Sequence, residues 1–335
     1  MHTTVVDVSP DSPHHEPRRK AAGRRAARAD SAPKLTFMMR LRRDKSLILM
    51  TLPVVVLLLV FNYVPILGNI VAFKYYDPLV GVIDSDWVGL DNFRQLFGDP
   101  LFWQALKNTL ELSLVQLVLF FPVPIMLALL LNSVLSSRIR SVIQSVTLLP
   151  HFFSWVLTIT LFQQMLGGAG LLNQFLRNHD MTPWNIMTDP HTFQLLVTSQ
   201  VVWKESGWGI IVFLAALAAI DQNLYEAAAV DGAGRWRRLW HITLPGIRAV
   251  TVLMLVLRLG NILSVGFEQL LIQRAAVGHD AADVLDTFSF YYGIATNNYG
   301  YGVAAGIFKS VISLLLLWGA NKLAHALGED GLYRR

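Results

Sequence analysis

Six stretches of this chain run for roughly 20 residues or more with almost no charge, and that alone limits what it can fold into. They lie at about residues 46–73, 106–134, 142–166, 193–220, 243–266 and 302–326. Inside hydrocarbon a backbone must satisfy its own N–H and C=O groups, so apolar stretches of this length form helices. The charge balance agrees. Only 15% of the 335 residues are charged, against about a quarter in an ordinary soluble domain. The expected fold class is all-α integral membrane, with six transmembrane helices.

Charge placement orients them. Arg138 and Arg140 fall between stretches two and three, Arg235, Arg237, Arg238 and Arg248 around the start of stretch five, and Lys322, Arg334 and Arg335 at the end. The alternate loops are acidic, with Asp77, Asp84, Asp86, Asp91 and Asp99, then Glu268, Asp280, Asp283 and Asp286. The positive-inside rule puts both termini and the loop 221–245 in the cytoplasm. Three regions result: a basic tail over 1–45, a transmembrane domain over 46–326, and a cytoplasmic tail over 327–335. The first tail, basic from Arg18 to Lys45, is too polar to bury a core and is expected to be disordered into the mid-thirties. It reads as an anchor over anionic lipid. A cleaved signal peptide is excluded, because the apolar run is too long and no small-residue cleavage site follows it.

Absent motifs exclude other classes. The chain has no cysteine, which removes disulfides and thiolate metal sites. It has no G-x-x-x-x-G-K-[ST], no H-E-x-x-H and no G-x-S-x-G. His151, His179, His191 and His279 are scattered through loops and span ends. No catalytic residue, metal or cofactor is expected. The net charge of +5 comes largely from the first tail, without a basic stripe interleaved with aromatics, so no nucleic-acid partner is expected.

The most informative polar stretch runs from Asn223 to Pro245, N-L-Y-E-A-A-A-V-D-G-A-G-R-W-R-R-L-W-H-I-T-L-P. Asn223 and Glu226 have capping-box spacing, Gly232 can take the positive φ that ends a helix, and Pro245 suits the start of the next one. The alanines offer a flat face that another backbone can approach. This segment resembles the "EAA" loop of binding-protein-dependent ABC importer permeases: Glu226-Ala227-Ala228, then Gly232, then Ile242 and Leu244-Pro245 fill its positions. The resemblance implies the type I (MetI-like) importer permease fold. It also implies that Glu226, Ala227, Ala228, Asp231 and Gly232 form a coupling helix seated on a separate ATPase. The likeness covers roughly residues 45–335. Leu214–Asp221, Gly266–Gln269, Asp283–Thr287, Gly306–Val311 and Gly331–Tyr333 are similar to the carbohydrate branch that serves oligosaccharides, polysaccharides and alginate-type substrates. The segment Ala275–His279 departs from the proline-containing pattern of that branch.

What the resemblance implies is a subunit in a bacterial cytoplasmic membrane. Its partners would be a second, paralogous permease subunit, two cytoplasmic ATPases, an extracytoplasmic solute-binding protein, a sugar and membrane lipid. ATP hydrolysis would occur on the ATPase subunits, and this chain would not be an enzyme. A permease for a polyol or glycerol phosphate, and an ion-coupled secondary transporter, are the competing readings.

Several charged and polar residues fall inside or at the ends of the apolar stretches: Lys204 and Glu205 between Trp203 and Trp208, Arg258 with Asn261, Glu268, and Lys309. An ionisable group at mid-membrane costs about 2.5 to 3.5 kcal/mol on the mild insertion scale, so these groups should face the bundle interior. Two uses are open. They are interhelical glue, such as Glu205 with Arg258 or Lys309, or they line a path in which Trp203 or Trp208 stacks on sugar rings. A proton relay is a third use. Lys204 and Glu205, side by side, need not pair with each other. Aromatics in the external loops (Trp87, Trp184, Phe288, Tyr299 and Tyr301 among them) suit either an interfacial belt or a receiving surface for the binding protein.

Overall fold

The computed structural model describes residues 44–326 and Gly328. The basic tail, the C-terminal tail and the Gly331–Tyr333 motif lie outside the described residues, apart from Asp44, Lys45 and Gly328. The chain divides into two units, Met1–Leu67 and Gly68–Arg335.

In the first unit, a helix over Lys45–Leu58 passes through a wide turn, Leu59–Tyr63, into Val64–Leu67. The wide turn precedes Pro65, whose ring would otherwise press on the carbonyl of Phe61. No residue of this helix is buried. A helix apolar all round has lipid as its natural cover.

The second unit holds most of the bundle. Across the described residues, five helical runs are long and apolar enough to cross a membrane: Lys45–Phe73, Pro100–Asn132, Trp155–Asn178, Phe193–Ala218 and Tyr299–Ala326. A bent pair, Arg235–Gly246 and Arg248–Gly260, meeting at 56°, supplies a sixth. We number these spans one to six in chain order, the bent pair being span five.

Two spans differ from the sequence expectation. The apolar stretch 142–166 is not one helix. Ser137–Leu148 is a separate amphipathic helix, Leu149–Phe152 forms a 3-10 turn around Pro150, and a new helix starts at Trp155. Its cap is Ser154, whose hydroxyl accepts the Leu157 N–H at 3.2 Å. Hydropathy runs straight through this break because the turn is itself apolar. Span five begins earlier than residue 243, with a wide turn at Leu239–Thr243 that again precedes a proline, Pro245. Its helix ends at Gly260, short of the expected 266.

Span four is the centre of the packing. Of its most apolar window 39% is buried, against 22% or less for spans one, two, three and six. Close contact is possible because of small residues. A Cβ on Gly207 would collide with the Thr147 carbonyl oxygen, and one on Gly209 would stand 2.7 Å from Pro124. At the cytoplasmic end Ile210, Phe213 and Leu217 pack with Ala128, Leu131, Ile220 and Ile247.

The outer segments are folded rather than loose. Lys74–Tyr75 pairs antiparallel with Asp86–Trp87. The buried Lys74 ammonium donates to the carbonyls of Val82, Ile83 and Ser85, and the Asn92 amide donates to those of Ala72 and Lys74. The segment 267–301 is a series of short helices. Phe288 and Tyr301 are core residues packed with Phe102, so neither belongs to a belt or a receiving surface, whereas Trp87 and Trp184 are exposed. Three glutamines, Gln200, Gln269 and Gln273, hydrogen-bond one another in the interior. Arg274 forks onto Asp283 at 2.6 and 2.9 Å, and that hydrogen bond raises the guanidinium above its ordinary pKa.

Candidate functional site

The polar loop folds as a capped knob. Its helix is Gln222–Val230, and its cap is Asp221, whose carboxylate accepts the Asn223 N–H at 2.9 Å. The expected Asn223–Glu226 capping box does not form. Asn223 is already inside the helix, because Asp221 ends the apolar span and reaches the free N–H groups first. The other end follows expectation. Gly232 has φ +73°, the Ala233 N–H reaches the Ala228 carbonyl at 2.8 Å, and the Gly232 N–H reaches that of Ala229 at 3.1 Å. This crossed pair is a Schellman end, which satisfies carbonyls that would otherwise face water unpaired.

No residue of the helix is buried. Glu226, Ala227, Asp231 and Gly232 are exposed and Ala228 is half-buried. Among the described residues the Glu226 side chain has no hydrogen-bond or ion-pair partner. Val230 is 87% exposed, an apolar tip beside the alanine face. Tyr225 packs on the cytoplasmic core, and its hydroxyl lies 3.0 Å from that of Thr243 at the start of the span-five helix. The sequence does not mark Tyr225 and Thr243 as partners, because a hydroxyl pair 18 residues apart has no local signature.

The intramembrane candidates fall into three separate groups. In the first, Glu205 accepts from His151 Nδ1 at 2.8 Å and lies 3.3 Å from the Lys204 ammonium, which also donates to the His151 carbonyl at 2.8 Å. Lys204 and Glu205 pair with each other, although adjacency on the helix does not require it. His151 stands between them because the Pro150 turn carries it to span four. The His151 ring stacks on Trp208 at 5.3 Å and 16°. Trp203 instead packs against Phe153 and Phe162. The sequence by itself assigns His151 no role, and its only hint is the adjacent proline.

In the second group Lys309 pairs with Asp286 at 2.6 Å and donates to Ser264 at 2.9 Å. These residues line a cleft of about 580 Å³ with Asn261, Ser310 and Ser313. In the third, Arg258 donates to Gln116 Oε1 at 2.6 Å and lies over the Phe120 ring. The expected glue pairs of Glu205 with Arg258 or Lys309 do not form, since each cation has a nearer partner. Glu268 is exposed and has no ion pair among the described residues. No cluster of metal-ligating side chains occurs among the described residues.

Comparison with known proteins adds an independent line. Residues 120–328 match the family described as binding-protein-dependent transport system inner membrane component. Protein LplB of Bacillus subtilis (strain 168) is 40% identical over 300 residues, 89% of this chain and 94% of its own. The polygalacturonan/rhamnogalacturonan transport system permease protein YteP of the same organism is 41% identical over 298 residues, 89% of this chain and 93% of its own. Among solved structures, a chain of a bacterial alginate ABC transporter in complex with an alginate pentasaccharide-bound periplasmic protein superposes with a TM-score of 0.81 at 36% identity. That match covers 88% of this chain and 99% of the other.

Proposed function

The chain belongs to the binding-protein-dependent transport system inner membrane components, and on that premise we propose that it couples oligosaccharide import to ATP through the exposed helix Gln222–Val230. It is a multi-pass cell-membrane transport component, and its family is non-enzymatic. The observation that carries the coupling role is an ordered, capped helix with Ala227 and Ala229 exposed and a Glu226 carboxylate that has no partner among the described residues. A helix presented in this way to the cytoplasm suits a groove on a second protein.

In this mechanism two such knobs, one from this chain and one from a paralogous permease subunit, sit on an ATPase dimer. Closure of the dimer moves the knobs together. Tyr225, pinned to Thr243, passes the displacement to span five, whose helix bends at Ile247, and from there to the outer segments. An extracytoplasmic binding protein delivers the sugar when the outer side opens. Hydroxyl, amide and charged groups around Asn261, Ser264, Asp286 and Lys309 suit sugar hydroxyls, and the exposed Trp208 face suits a pyranose ring. The binding protein and the saccharide are supported by the alginate complex and by the name of the polygalacturonan permease.

The test is reconstitution with the ATPases and the loaded binding protein. Glu226→Lys should reduce ATPase subunit retention and uptake by roughly tenfold or more, as charge reversal in an interface does. Gly232→Pro should do the same by removing the left-handed turn. Normal retention and uptake in both variants would refute the coupling role.

A further inference from the structure

We propose that the groove between the cytoplasmic end of span two and the helix Arg235–Arg238 binds one anionic phospholipid of the inner leaflet. The groove has a volume of about 770 Å³, within the ~300–1,000 Å³ of sites that hold small molecules. One wall is apolar: Met126 and Leu130, on the outward face of the span, are 60% and 61% exposed. The opposite rim is basic. Arg235 and Arg238 both line the groove, and neither guanidinium has a hydrogen-bond or ion-pair partner among the described residues. Trp236 lines the same groove and is 75% exposed, the placement that an indole takes at a membrane–water boundary.

An apolar wall and two unpaired guanidinium groups make contradictory demands on most occupants. An acidic soluble surface would neutralise the arginines and leave Met126 and Leu130 against polar groups. A neutral lipid would cover the wall and leave two cations without counter-charge. An anionic phospholipid meets both demands, with its acyl chain along span two and its phosphate in the guanidinium forks. Arginine charge between spans four and five places this rim on the cytoplasmic side. Tyr225 and Thr243, the hydroxyl pair that holds the loop helix, line the same groove. Lipid bound there would set the stance of that helix, so ATP use would depend on anionic lipid.

The experiment uses the whole importer complex in nanodiscs. Phosphatidylglycerol and phosphatidylcholine, each with the same photoreactive acyl chain, are crosslinked in parallel and the labelled peptides mapped. The phosphatidylglycerol probe should label 126–133 and 235–243 in preference to the phosphatidylcholine probe. The double variant Arg235→Gln/Arg238→Gln should lower that labelling roughly 30-fold, from about 1 kcal/mol of attraction per cation. Arg235→Lys/Arg238→Lys should retain the preference, which separates lost charge from a misfolded groove. Arg177→Gln, on the outer side, should change nothing. Equal labelling by the two probes, or undiminished labelling of the glutamine variant, would overturn the proposal. So would a protein subunit crosslinked across the groove in place of lipid.

Discussion

Single side chains carry the boldest energetic commitments, because a charge inside a membrane protein is stable only with a partner. Lys309 and Asp286 are each less than a third exposed and 2.6 Å apart, between the surface and buried limits. Removing one partner leaves the other uncompensated. Asp286→Asn should therefore lower detergent melting stability by about 2 kcal/mol, and the double variant with Lys309→Met should recover much of it. Recovery in the double variant separates a structural pair from a lysine required for the sugar, since uptake would stay low in the second case. Gly232 makes a different demand. At φ +73° an alanine should cost about 1 kcal/mol and an asparagine less, because asparagine tolerates the left-handed region. Melting curves of the two variants would check the order.

At the scale of elements, span four is held by contacts that only glycine allows. Gly207→Val would drive its side chain into the Thr147 backbone, and backbone cannot rotate away. The helix Ser137–Leu148 should separate from span four, with loss of folded protein on size exclusion. Gly306→Ala meets no atom within 4 Å and should be neutral by the same assay. The loop helix offers a finer test. Tyr225→Phe keeps the ring in the core and removes only the hydroxyl paired with Thr243, a loss of about 1 kcal/mol. Uptake should fall while ATPase subunits still co-purify. If the subunits dissociate instead, Tyr225 belongs to the docking face and not to its support.

The whole molecule makes one prediction of topology that its composition renders easy to read. The chain has no cysteine, so any introduced thiol is the sole target. Leu79→Cys, at a fully solvent-facing outer position, should react with an impermeant maleimide from outside intact cells. Leu224→Cys, on the exposed loop helix, should react only after the membrane is opened. The opposite pattern would reverse the membrane orientation and remove the loop from the ATP-bearing side.

Much of this architecture was legible in sequence because its causes are local. Twenty apolar residues in a row force a helix across lipid, arginine placement orients it, and Gly232 dictates the left-handed stop of the loop helix. The Glu226–Pro245 pattern was readable for the same reason, since its residues follow one another in one short run of chain. Local apolarity also misled, for the break at Pro150 lies inside an unbroken hydrophobic stretch. The partners of the intramembrane charges were not legible at all. His151 meets Glu205 across 54 positions and Arg258 meets Gln116 across 142. Which side chains meet at those separations depends on how the helices rotate and bend against one another. Packing of the whole bundle sets that rotation, so only the tertiary structure could decide that these charges form three paired groups instead of one polar file.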